Sequence, residues 1–118
     1  AAAGREARAA RRAEEQRLQD LRLEVTRQVE TAYLDVGEAE QRIRAAEAAL
    51  AEAREVVRIE RAKLDVGKAI INDLLDAEAD LLVAEVNYAT ALADYNVAVF
   101  ALERAIGGIE YEALLRRR

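Results

Sequence analysis

Asp73 and Asp76 stand three residues apart in a segment with several acids and no base. On a helix that spacing puts both carboxylates on one face. Paired carboxylates can hold a cation or, with one of them hard to ionise, pass a proton. Proton chemistry also calls for a second group that titrates near neutrality, and the chain has no histidine and no cysteine. The usual zinc sites and thiol nucleophiles are therefore excluded. No glycine-rich phosphate loop is present either. The residues point to no catalytic group, no metal site and no cofactor. Taken alone, Asp73 reads as a negative charge at the start of a helix, with Asn72 beside it as a possible cap.

The elements that must carry these carboxylates follow from a strict repeat. Val29, Val36, Ile43, Leu50, Val57 and Leu64 recur every seven residues, and Ala32, Ala39, Ala46 and Ala53 recur in step three places later. Further on, Leu74, Leu81, Tyr88, Tyr95 and Leu102 form one line, and Ala77, Ala84, Ala91, Ala98 and Ala105 form the other. A sustained heptad on either side of Gly67 predicts two helices folded back on each other as a coiled coil. The packing seam is expected at Val36, Ile43, Leu50 and Val57 with Leu74, Leu81, Tyr88, Tyr95 and Leu102. The two tyrosines read as core residues whose hydroxyls reach the edge.

The spacing places the first helix over about 5–64, a turn over 65–71, a second helix over about 72–106 and a tail over 107–118, all in one domain. Gly67 suits the left-handed residue after a helix C-terminus, and Arg58, Arg61 and Lys63 put positive charge near that end. Gly107 and Gly108 are expected to stop the second helix. Gly37 lies inside the first and costs it about 1 kcal/mol relative to alanine. A second helix ending near 106 leaves residues up to about 28 without a partner in the chain.

Two antiparallel registers fit the repeat. Centring the turn on Gly67 sets Val57 by Ala77, Leu50 by Ala84, Ile43 by Ala91 and Val36 by Ala98, with Ala53 by Leu81, Ala46 by Tyr88 and Ala39 by Tyr95 between them. The other register is shifted by one heptad and centred past Ile70. In the first, each layer sets a large side chain against an alanine, which lets the helices come close. That seam leaves Leu34, Val56 and Ile59 of the first helix off it, as well as Leu82, Val83, Val86, Leu92, Val97, Val99 and Phe100 of the second. A lone hairpin with one seam is marginal against the entropy of ordering it, so further helices are expected alongside.

The chain has 118 residues and a net charge of -5, with acids and bases interleaved along most of it. Interleaved charge reads as solvated helix faces and argues against nucleic acid as a partner. Arg5, Arg8, Arg11, Arg12 and Arg116, Arg117, Arg118 gather at the two ends. The longest apolar run, residues 97–102, is too short to span a bilayer as a helix. The absence of methionine leads us to expect an excerpt of a longer protein or a processed chain, and no signal peptide is seen.

Residues 29–107 carry VETAYLDV, IRAAEAALAEA and VGKAIINDLLDAEADLLVAEVNYATALADYNVAVFALERAIG. This stretch resembles the second helical hairpin of the TolC-type outer-membrane efflux protein family. The tip glycine, the LDAE that follows, NYATALADYNVA and the closing AIG carry the resemblance most specifically. It implies an all-α fold, a long antiparallel two-helix hairpin that is a fragment of a trimeric α-barrel. The protein would line an exit duct for drug efflux, metal efflux or type I secretion. It would sit in the outer membrane of a Gram-negative-type bacterium, with this segment in the periplasm and membrane contact only through parts outside this chain. Its partners would be a periplasmic adaptor protein and an inner-membrane pump, and its oligomer a homotrimer. By position, Asp73 and Asp76 match aspartates that ring the tunnel constriction in some members; threefold symmetry would gather six carboxylates into a strong cation-binding field. Leu64, Asp65, Val66, Gly67, Lys68 and Ala69 match the tip that docks the adaptor. The sequence departs from the family pattern at Ile70, where a small hydroxyl residue would cap the second helix, and at Ala69, which is basic in some members.

Two other readings fit a heptad hairpin. One is the hairpin of a periplasmic adaptor, which would be flanked by a lipoyl-like strand pattern that this sequence lacks. The other is a generic coiled-coil interaction or spacer module, which would not need the apolar residues outside the seam.

Overall fold

The computed structural model describes residues 1–117, the side chain of Glu112 apart; Arg118 lies outside the described residues. It contains two helices, α1 over Ala2–Asp65 and α2 over Ile71–Arg116, joined by residues 66–70. Contacts within the chain group into two compact units, one of Asp35–Val99 and one of Ala1–Leu34 with Phe100–Arg118. Among the described residues no helix is long and apolar enough to cross a membrane.

The first of these units contains the turn. Gly67 has φ of 75°, the left-handed conformation that an L side chain resists. Its N–H donates to the Leu64 carbonyl at 3.1 Å, and the Lys68 N–H donates to the Lys63 carbonyl at 2.7 Å. These two bonds are the paired closure of a Schellman motif, and they satisfy carbonyls that the end of α1 would otherwise leave open. Ile70 then offers no side-chain cap to α2. Its carbonyl accepts instead from the Asp73 N–H at 3.1 Å, which starts the helix at Ile71, one residue before the expected position.

Burial in this unit follows the heptads. Ala39, Leu50 and Val57 are buried on α1, with Val36, Ile43, Ala46, Ala53 and Leu64 half-buried. On α2, Leu74, Ala77, Ala84 and Ala91 are buried, and Leu81, Tyr88, Tyr95 and Ala98 are half-buried. Val57 clusters with Leu74 and Ala77, and Leu64 and Leu81 pack against that cluster. Val57 beside Ala77 is the register centred on Gly67. Val57 thus meets leucine as well as alanine on α2, and the alanines let the backbones approach closely enough for residues 66–70 to close the turn.

The second unit pairs the start of α1 with the end of α2. Val25 and Val29 are half-buried and Ala32 is buried, as are, in part, Leu102 and Ala105. The sequence pattern ends the second helix at Ile106, whereas α2 runs on through Gly107 and Gly108 to Arg116. Neither glycine takes the left-handed φ that ends a helix, and a Cβ built on Gly108 would lie 3.9 Å from the Val25 side chain, so this stretch packs on α1. The following residues, IEYEALLR, are good helix formers and offset the ~1 kcal/mol that each glycine costs. With α2 this long, Val25 and its neighbours have a partner in the chain, contrary to the expectation that nothing would reach residues before about 28.

Two glycine substitutions should separate these roles. Gly67→Ala has open space around the new Cβ but keeps the left-handed φ, and should lose about 1–2 kcal/mol. Gly37→Ala also meets nothing within 4 Å, sits in a regular helix and should gain about 0.5–1 kcal/mol. Urea unfolding followed by the helical dichroism signal reads both, and an unmoved midpoint for Gly67→Ala would show that the left-handed turn does not hold the hairpin.

Candidate functional site

The residues of interest lie at the turn and in the first turns of α2. Leu64 is half-buried in the seam and Asp65 closes α1 in the open; Val66 is 67% exposed, and Gly67 and Lys68 are exposed with it. Ala69 is half-buried. The turn thus presents Asp65, Val66 and Lys68 outward, while Leu64 and Ala69 face in. The Gly67 conformation fixes this arrangement, because the chain reverses there and nowhere else in the unit.

Asp73 and Asp76 are both exposed, one helical turn apart. Asp73 lies in the first turn of α2, where its charge meets the positive end of the helix dipole. Neither aspartate is in an ion pair with a described residue. One chain therefore supplies two open carboxylates and no cavity around them. The described residues hold no group of three or more potential metal-ligating side chains.

The seam residues named from the sequence sit as follows. Leu50, Val57 and Leu74 are buried; Val36, Ile43, Leu81, Tyr88, Tyr95 and Leu102 are half-buried. Tyr33, off the seam, is 69% exposed. Sequence reasoning missed the ion pair between Arg61 and Glu78, whose atoms are 3.0 Å apart. It ties the last turns of α1 to the start of α2. Both partners follow a seam position, Glu60 and Ala77, so the heptad puts them on the same flank, but the Gly67 register sets Arg61 level with Asp73 and does not single out Glu78. With side chains 60% and 44% exposed, such a pair orients more than it stabilises. Further ion pairs along α1 include Glu60 with Lys63 and three made by arginine, Glu14 to Arg17, Glu24 to Arg27 and Glu55 to Arg58. In each of these three the arginine's hydrogen bond holds the glutamate below the ordinary carboxylate range.

Shallow open grooves run along both flanks of the seam in the turn-bearing unit. One is lined by Ala49, Ala53 and Val56 of α1 with Asp80, Ala84 and Asn87 of α2. The other is lined by Arg54, Arg58, Arg61 and Ala62 of α1 with Leu81 of α2. Neither encloses a small molecule in the way a ligand pocket does.

Most of the apolar surface outside the seam belongs to α2. Leu75, Leu82, Val83, Val86, Leu92 and Val97 are 39–68% exposed, and in the other unit Phe100 is 61% exposed. On α1 of the turn-bearing unit, Val56 and Ile59 are exposed at 40% and 37%. Between the apolar residues of α2 runs a polar line of Asp73, Asp80, Asn87 and Asp94, seven residues apart.

Among the described residues the hairpin has an ordered turn and an exposed apolar flank, and the grooves beside its seam are open. The chain belongs to the outer membrane efflux protein family, whose sequence model matches residues 1–108. That family is one of transport channels. Comparison with curated proteins and with solved structures gives no match.

The two aspartates are separable in the chain itself. Asp73→Asn should lower stability by about 0.3–1 kcal/mol through the lost interaction with the helix end. Asp76→Asn, a turn further in, should change it by less than ~0.5 kcal/mol. Paired denaturation curves check this, and equal losses would mean that the position of Asp73 in the first turn carries no weight.

Proposed function

We propose that this chain is one hairpin of the periplasmic wall of a trimeric outer-membrane exit duct for efflux or type I secretion. In that reading α1 and α2 close on each other through the heptad seam, and the exposed flank of α2 seals against the next hairpin of the wall. The polar line of Asp73, Asp80, Asn87 and Asp94 then stays in contact with water. Residues 64–69 form the end of the wall on which a periplasmic adaptor docks, offering Asp65, Val66 and Lys68 to it, and the adaptor couples the duct to an inner-membrane pump. Asp73 and Asp76, repeated by threefold symmetry, ring the narrow end of the tunnel and favour cations there. The protein acts passively, by enclosing a path and holding a partner.

The observation that carries this reading is the second apolar face of α2. A simple coiled-coil spacer buries one seam and keeps the rest of its surface polar, whereas Leu82 and Val86 are 61% and 56% exposed outside the seam. A run of such residues on one helix marks a contact surface.

Sedimentation of the 118-residue chain tests it. The wild-type chain should associate in a concentration-dependent way, and Leu82→Glu with Val86→Glu should give a monomer of unchanged helicity. A wild-type monomer at high concentration would overturn the wall reading in favour of a plain coiled-coil module. Association undiminished by the two glutamates would overturn the assignment of this face.

A further inference from the structure

Four arginines of α1, Arg5, Arg8, Arg11 and Arg12, crowd into residues 5–12, with Glu6 the only acid among them. Arg17, Arg27 and Arg58 each pair with a glutamate three residues earlier, and Lys63 pairs with Glu60 in the same way. Arg5, Arg8, Arg11 and Arg12 have no acid at that position; the residues there are Ala2, Arg5, Arg8 and Ala9. All four are exposed, and none is in an ion pair with a described residue. At 100° per residue they fall within an arc of about 120°, so they form one basic face roughly 10 Å long. Like charges at spacings of three and four weaken a helix. An outside anion would relieve that repulsion.

We propose that residues 5–12 form an electrostatic docking face for a bilayer surface rich in anionic phospholipid. Three observations favour that occupant. Large apolar residues are absent from residues 1–17, so the contact is made by charge alone and without insertion. Aromatic side chains are absent there too, which removes the stacking platforms that single-stranded nucleic acid uses. The family is one of the outer membrane, so a bilayer is the anionic surface at hand. Guanidinium groups bind phosphate oxygens in a fixed fork, and clusters of four or more basic residues beside a membrane protein's bilayer read as anionic-lipid sites. This inference rests on family membership and not on the duct reading, and it departs from the expectation that only parts outside this chain meet the membrane; sedimentation and lipid binding fail separately.

Vesicle flotation of the 118-residue chain tests the proposal. The wild-type chain should float with vesicles of about one-third phosphatidylglycerol at low salt and stay down with pure phosphatidylcholine, and ~0.5 M salt should release it by screening. Changing Arg5, Arg8, Arg11 and Arg12 to Gln should weaken binding at least tenfold, at about fivefold per arginine before any saturation. Changing Arg42, Arg44, Arg54 and Arg58 to Gln alters the net charge equally and should leave binding in place. Dichroism confirms that both variants remain helical. No binding to anionic vesicles, equal binding to neutral ones, or equal loss in the two variants would overturn the proposal. So would displacement by millimolar inorganic phosphate, which would mean that free phosphate rather than a surface is bound.

Discussion

Close approach of α1 and α2 is the constraint on which the turn-bearing unit depends. It comes from a size rule, with Ala39, Ala46 and Ala53 alternating with Ile43, Leu50 and Val57 on α1, and Ala77, Ala84 and Ala91 alternating with Leu81, Tyr88 and Tyr95 on α2. A second leucine line on either helix would push the axes apart by the thickness of a side chain, and residues 66–70 would no longer span them. The Schellman closure at Gly67 and the reach of Arg61 to Glu78 both assume that distance. Turn and ion pair are consequences of the seam, and neither could impose it alone, since a surface pair of this exposure is worth ~1 kcal/mol at most.

How far the sequence discloses this structure depends on which features are local and periodic. The seam lines could be read because a seven-residue period kept over several turns is what one helix packed along another requires. The turn could be read because Gly67 falls where the repeat changes phase. The end of α2 could not be read, because a glycine ends a helix only when its φ turns positive. Neither Gly107 nor Gly108 takes a positive φ, and Gly108 lies against Val25, which is far away in the sequence. Two adjacent glycines carry the same letters whether they stop a helix or let it lie close to a neighbour. The start of α2 failed by a single residue for a related reason. Ile70 has no capping oxygen to announce the boundary, and the backbone made its own closure through the Asp73 N–H.

The candidate site was legible in a different proportion. Spacing alone puts Asp73 and Asp76 on one face, and the structure leaves both open to solvent. What those carboxylates do cannot be written in a single chain, since their neighbours in the proposed ring are other copies of themselves. Charge pairing along α1 is similar. The Glu-x-x-Arg spacing of Glu14, Glu24 and Glu55 shows which arginines are paired within the helix.

A hairpin whose function lies in its faces must also limit what those faces bind. Apolar residues outside the seam are concentrated on α2, while the outward positions of α1 carry Gln41, Arg44, Glu55 and Arg58, all exposed. Were both helices apolar outside, hairpins would stack on either side without preference, and the contact would resemble aggregation rather than assembly. With one apolar and one charged side, a neighbour can approach α2 but gains little on the outward face of α1. A one-sided contact of this kind joins unlike surfaces, and such contacts close into rings when the rotation between neighbours permits. The asymmetry between α1 and α2 is therefore what a wall needs beyond a coiled coil, and the seam, being nearly alike on both helices, cannot provide it.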